Sequence, residues 1–144
     1  MKRNPAVALF ATYLAVLFAL TLVLFPSPPS PVAVRLKLVP LVGIAHFLRS
    51  GGRGLVVNVL GNLAAFIPLG FLLPSLSDRH TSARWVVLVG FCLSLDIEIL
   101  QFASQRRVAD VDDLLLNTLG AFLGYYARGR SRGHWRRPPF TPPD

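Results

Sequence analysis

Residues 94–124 read SLDIEILQFASQRRVADVDDLLLNTLGAFLG, and the fold turns on how this stretch is understood. Of the seven acidic residues in the chain, Asp96, Glu98, Asp110, Asp112 and Asp113 all fall here, between runs apolar enough to cross a bilayer. Ionisable groups are costly in hydrocarbon and usually functional where they occur. At 3.6 residues per turn, Ser94, Glu98 and Gln101 share one face of a helix. On the next helix Asp110, Asp113, Asn117, Gly120 and Gly124 form one polar-to-small stripe, while Asp96 and Asp112 point roughly the other way. A tight basic corner, Gln105-Arg106-Arg107, joins the two.

The rest of the chain supports a membrane class. It has 144 residues, 53% hydrophobic content and a mean hydropathy of +0.53, more apolar than a soluble domain of this size needs. The net charge of +8 raises nucleic acid as a partner, but the basic residues sit in loops and tails between apolar runs, which is the distribution of juxtamembrane charge. No nucleic-acid partner is expected. Cys92 is the only cysteine, so no internal disulfide forms. His46, His80 and His134 are far apart and lack metal-ligand spacing, so neither a metal nor a cofactor is expected.

Working back to the N-terminus, Ala6 to Phe25 has the length of a spanning helix and is followed by no small-x-small cleavage site. The proline-rich Pro26 to Pro31 ends it as a stiff connector. Leu36 to Leu48 is short, interrupted by Pro40 and Gly43, and charged at Lys37, which suits an interfacial or re-entrant segment. Ser50 to Gly54 is a hinge. Leu55 to Pro74 is the second span, kinked at Pro68, with Asn58 and Asn62 on one face either bonding across a helix interface or lining a site. Trp85 to Ala103 is the third and Val111 to Tyr126 the fourth, with Trp85, Tyr125 and Tyr126 as interfacial anchors.

The expected architecture is therefore an all-α integral membrane bundle of four transmembrane helices, with the interfacial or re-entrant segment between the first and second. Its parts are a cytoplasmic N-terminus (1–5), a membrane domain (6–126) and a basic, disordered cytoplasmic tail (127–144). The Gly120-x-x-x-Gly124 spacing permits close approach to another helix, and oligomerisation through it is one use of that spacing. Lys2, Arg3, Arg79, Arg84 and the tail arginines place both termini in the cytoplasm by the positive-inside rule. Asn58, Asn62, Glu98, Gln101, Arg107, Asp110, Asp113 and Asn117 then converge in the outer half of the membrane.

Three motifs in order carry a resemblance: Asn58 to Gly70 (NVLGNLAAFIPLG), Ser94-x-x-x-Glu98-x-x-Gln101, and Arg107-x-x-Asp110-x-x-Asp113-x-x-x-Asn117-x-x-Gly120. The chain resembles the VanZ-like family over Leu36 to Tyr126, with the first helix and the tail outside the resemblance. Members are small multi-pass bacterial membrane proteins named for a factor associated with teicoplanin resistance. The resemblance implies a cell-envelope protein of the cytoplasmic membrane. Lys37 departs from it, standing where similar proteins often carry Asn.

Three functional readings follow. In the first, the eight polar residues form a pocket for a lipid headgroup or a lipid-linked cell-wall intermediate and affect glycopeptide access, with Arg107 pairing a phosphate or carboxylate. In the second, Glu98 and Asp113 are the acid and base of a membrane enzyme acting on a lipid-linked substrate. In the third, the charges only pair with one another to fix the bundle.

Overall fold

A computed structural model describes residues 5–24, 36–76, 81–104 and 109–131. The expected proline connector at 26–31, the corner at 105–107 with Arg107, and all of the tail past Ser131 lie outside the described residues.

Helix α1 (Pro5–Phe18) continues into a wider π-helical turn, Ala19–Leu24. Strand β1 is only Leu36–Lys37, and α2 runs Val42–Ser50. Gly51 and Gly52 both have positive φ, 61° and 67°, so the expected hinge is a backbone reversal that only glycine enters at little cost. Helix α3 spans Gly52–Ser75 with a π-helical stretch at Leu55–Leu60 and Pro68 inside it, α4 is Ala83–Ser104, β2 is Ala109–Asp110 and α5 is Val111–Ser131.

Three helical segments, Pro5–Leu22, Gly52–Ser75 and Ala83–Ser104, are long and apolar enough to cross a membrane. Helix α5 has comparable length, 21 residues, but is charged at both ends. It also runs past the expected limit at Tyr126, because Arg128 has a buried place inside the fold and carries the helix with it.

The α3–α5 seam organises the bundle. A Cβ on Gly120 would run into the Leu63 carbonyl, one on Gly124 into the Ile67 carbonyl, and one on Gly70 into the Ala121 carbonyl. Backbones this close need glycine on the facing stripe. Gly120 and Gly124 thus serve close packing inside the chain. Their partners rise together, 63 to 67 against 120 to 124, so α3 and α5 run parallel.

Across α4 the order reverses. Gly90 faces Ala121, Ser94 bonds Asn117 and Glu98 bonds Asp110, which makes α4 antiparallel to α5. Gln101 reaches Thr21 and Tyr13 reaches Ala65, so α1 runs with α4. Leu17, Phe66, Leu69, Val86, Ile97 and Ala121 form the buried apolar centre, with Phe10, Tyr13 and Leu22 packed on it.

These directions bring Thr21, Asn58, Glu98, Gln101 and Asp110 to one end of the bundle. The outward faces are apolar: Leu9, Leu88 and Ile99 are among the many large hydrophobic residues more than half exposed. Soluble proteins rarely expose contiguous surfaces of this kind, whereas lipid covers them without cost.

Candidate polar pocket at one end of the bundle

The sequence of α5 begins Val-Asp-Asp, acidic residues in the first turn of a helix where unpaired N–H groups attract them. Asp112 instead serves another helix. It is buried, and its carboxylate accepts the Leu41 N–H at 2.5 Å and the Ile44 N–H at 3.0 Å, satisfying donors at the start of α2. Leu41 is held there in the left-handed region, φ 68°, a conformation that a branched residue adopts only under external constraint. Gly43 makes room, since a Cβ there would stand 2.8 Å from Asp112 Oδ2.

This corrects the expectation that Asp112 faces away from the site. The helical-wheel argument assumes one wet side and one packed side, but the start of α5 is enclosed by α3 on one flank and by α2 on the other. Asp96 does face outward, exposed on α4.

Asp110 and Asp112 are coupled through the backbone: the Asp112 N–H donates to Asp110 Oδ1 at 3.0 Å. Asp110 Oδ2 lies 3.5 Å from Lys37 Nζ, and the Asp110 N–H donates to Glu98 Oε2 at 2.9 Å. Residues 36–37 pair in parallel with 109–110, Leu36 against Ala109 and Lys37 against Asp110, which is what places the lysine beside the acid. A two-residue ribbon has no periodicity to read, so the all-helical expectation missed it. The departure at Lys37 is thereby given a partner.

A pocket of about 120 Å³ opens here, lined by Lys37, Gly43, Ile44, Phe47, Asn58, Val59, Asp110, Asp112, Asp113 and Leu116. Of the eight residues expected to converge, Asn58, Asp110 and Asp113 line it. Among the described residues no group of His, Cys, Asp and Glu is arranged to hold a metal ion.

The other expected residues take neighbouring places. Asn117 is buried and donates to Ser94 Oγ at 2.9 Å, a layer deeper in the bundle. Gln101, also buried, donates to the Thr21 carbonyl at 3.0 Å and ties α4 to the first span. Asn62 donates to the Asn58 carbonyl and Asn58 to the Gly54 carbonyl, each four residues back on its own helix. The π-helical stretch explains the second of these bonds: where the Gly61 N–H reaches the Val56 carbonyl, five residues back, the widened turn frees acceptors that a side-chain amide can fill. Asn58 and Asn62 therefore act first within α3.

A second cavity, about 240 Å³, adjoins the first and is lined by Leu38, Leu95, Glu98, Ile99, Phe102, Ala109, Asp110, Val111 and Leu114. Glu98 lines this one and Asp113 the other, so the two acids expected as a catalytic pair open onto different cavities.

Fold and site together define an integral membrane helical bundle with a polar pocket at one end. The chain belongs to the VanZ/LLP1 family, whose model matches residues 10–128, most of the first helix and Arg128 included. It is 32% identical over 77 residues to Protein VanZ of Enterococcus faecium, a match covering 54% of this chain and 47% of that one. The chain thus spans about half the length of the curated relative it matches. No solved structure matches.

Proposed function

We propose that this VanZ-family chain is a four-span protein of the bacterial cytoplasmic membrane, both termini inside, whose outward-facing pocket holds the polar head of a lipid or of a lipid-linked cell-wall intermediate. The observation that carries the reading is the pocket itself, built from Lys37, Asn58, Asp110 and Asp113 at the end of a bundle whose outer surface is apolar. Membrane-facing proteins tolerate such groups where they serve a polar ligand or a water-filled cavity. Carboxylates outnumber cations in the lining, so it favours heads that present hydrogen-bond donors such as hydroxyls, amides or ammonium groups. Occupying such an intermediate would alter the access of a glycopeptide such as teicoplanin to it.

The pocket is tested by native mass spectrometry of the purified protein with a polyprenyl-linked cell-wall precursor and with phospholipids. Binding should fall on Asn58→Ala with Asp113→Asn. Equal binding by the variant and the parent would sink the reading. The topology is tested separately in a Cys92→Ser background: a cysteine in the tail should resist an impermeant thiol reagent, and one at Gly51 should react.

A further inference from the structure

The cavity beside the polar pocket has no role in the head-binding reading, and its chemistry is the opposite. Its walls are Leu38, Leu95, Ile99, Phe102, Val111 and Leu114, with Glu98 and Asp110 as its acids. Leu95, Ile99 and Phe102 stand four and seven residues apart on α4, one face of the helix, and mark out a trough about 10 Å long parallel to the axis. A chain lying in it would follow the direction of the bilayer's own hydrocarbon.

The ribbon divides the two cavities. Lys37, the last residue of the ribbon, lines the polar pocket, and Leu38, the residue after it, lines the apolar trough. Asp110 lines both, so the cavities meet at this residue. The polar side of the trough is therefore fixed by the protein: Glu98 and Asp110 are there, Glu98 about midway between Leu95 and Phe102 along α4, so a head leaves the trough sideways past these acids.

We propose that the trough is the chain-binding half of a single amphiphile site, and that the ligand is a lipid whose hydrocarbon chain lies against Leu95, Ile99 and Phe102 while its head turns past Asp110 into the polar pocket. The occupant is the ligand's own chain, because the trough meets the pocket at Asp110 and is aligned with the acyl region. This rests on the head-binding reading for the site's polar half, and the two halves are separable by experiment.

The test uses the full chain in vesicles, with Trp85→Phe and Trp135→Phe to clear the background, and Phe102→Trp as a reporter in the trough. Leu100→Trp, on the same helix at nearly the same depth but outside the trough, reports ordinary lipid contact. Leu95→Trp is a second trough reporter should Phe102→Trp disturb the fold. Phosphatidylcholine vesicles receive rising fractions of dibromostearoyl phosphatidylethanolamine, dibromostearoyl phosphatidylglycerol, or the methyl ester of dibromostearic acid, each a quencher carried on a chain.

The expected result is half-quenching of the trough reporter at a lower quencher fraction than the Leu100→Trp control, for the ester and for at least one phospholipid. Asn58→Ala should remove the difference between head groups and leave quenching by the ester unchanged. Coincident curves for trough and control reporters with all three quenchers would overturn the proposal. Selective quenching by the ester with no dependence on head group would keep the trough and sink the polar-pocket reading instead.

Discussion

Replacing Asp112 with alanine should release residues 41–50 from the bundle while leaving the long helices intact. The carboxylate accepts two backbone N–H groups, from Leu41 at 2.5 Å and Ile44 at 3.0 Å, in a setting where the side chain is only 3% exposed. Hydrogen bonds to a charged acceptor contribute about 1.5–3 kcal/mol each, so losing both costs about 3 kcal/mol or more. Helix α2 has no buried residue of its own, and beyond the ribbon at 36–37 and the packing of Phe47 beside Gly54 little else fastens this loop. The loss therefore appears as local opening, and a difference of about 3 kcal/mol speeds amide exchange at residues 41–44 roughly a hundredfold. Hydrogen-exchange mass spectrometry in detergent measures it directly. Asp112→Asn should fall between, because one oxygen still accepts while the amide group confronts a second donor. Unchanged exchange at 41–44 in Asp112→Ala, or a speed-up spread evenly over α3, α4 and α5, would refute the reasoning.

Gly43→Ala should give a weaker form of the same exchange signature, since its methyl would press on Asp112 Oδ2 from 2.8 Å. Arg128→Met should lower thermal stability in detergent by about 2–3 kcal/mol, because the buried guanidinium donates to the Phe71 carbonyl at 3.0 Å and Ser75 Oγ at 2.6 Å near the end of α3; Arg128→Lys should recover only part of it, as lysine cannot present the same planar fork. Asp96→Asn should leave both lipid binding and melting temperature unchanged, since Asp96 is exposed on α4 and lines neither cavity.

What the sequence made legible was whatever depends on periodicity and length. The apolar runs marked the three helices long and apolar enough to cross a membrane, and the stripe from Asp110 through Gly124 is the face that α5 turns to its neighbours. Asp112 escaped because its partners are backbone groups 71 and 68 residues away, and a helical wheel sees only its own helix. Arg128 escaped for a different reason: composition assigned it to an arginine-rich tail, although it stands four residues past Gly124 on the same stripe. That position sends it to the end of α3, where the Phe71 carbonyl needs a donor and the helix dipole favours a cation. Its guanidinium also lies over the Phe71 ring, 5.7 Å from the centroid. Asn58 lines the polar pocket and Asn62 lines neither cavity, and the acceptors both use belong to their own helix.

The remaining question about the deeper polar layer is whether Asn117 stabilises the bundle or serves the ligand, and asymmetric substitution separates the two. Ser94 is 0% and Asn117 4% exposed, and the amide donates to the hydroxyl at 2.9 Å. Losing the amide leaves a serine that can still bond a carbonyl on its own helix, four residues back. Losing the hydroxyl removes the partner of a buried amide donor, and Asn117 Oδ1 already has no hydrogen-bond partner among the described residues. Ser94→Ala should therefore cost more than Asn117→Leu, about 1–3 kcal/mol for the stranded group. Combining the two replaces both polar partners by apolar ones, so the double variant should be more stable than Ser94→Ala alone. Thermal melts in detergent measure the cycle, and native mass spectrometry with the polyprenyl-linked precursor is run on the same samples. A structural Asn117 predicts that binding follows stability and returns in the double variant. Binding that stays lost while stability returns assigns Asn117 to the ligand, and additive losses in stability would show that the pair does not act as one unit.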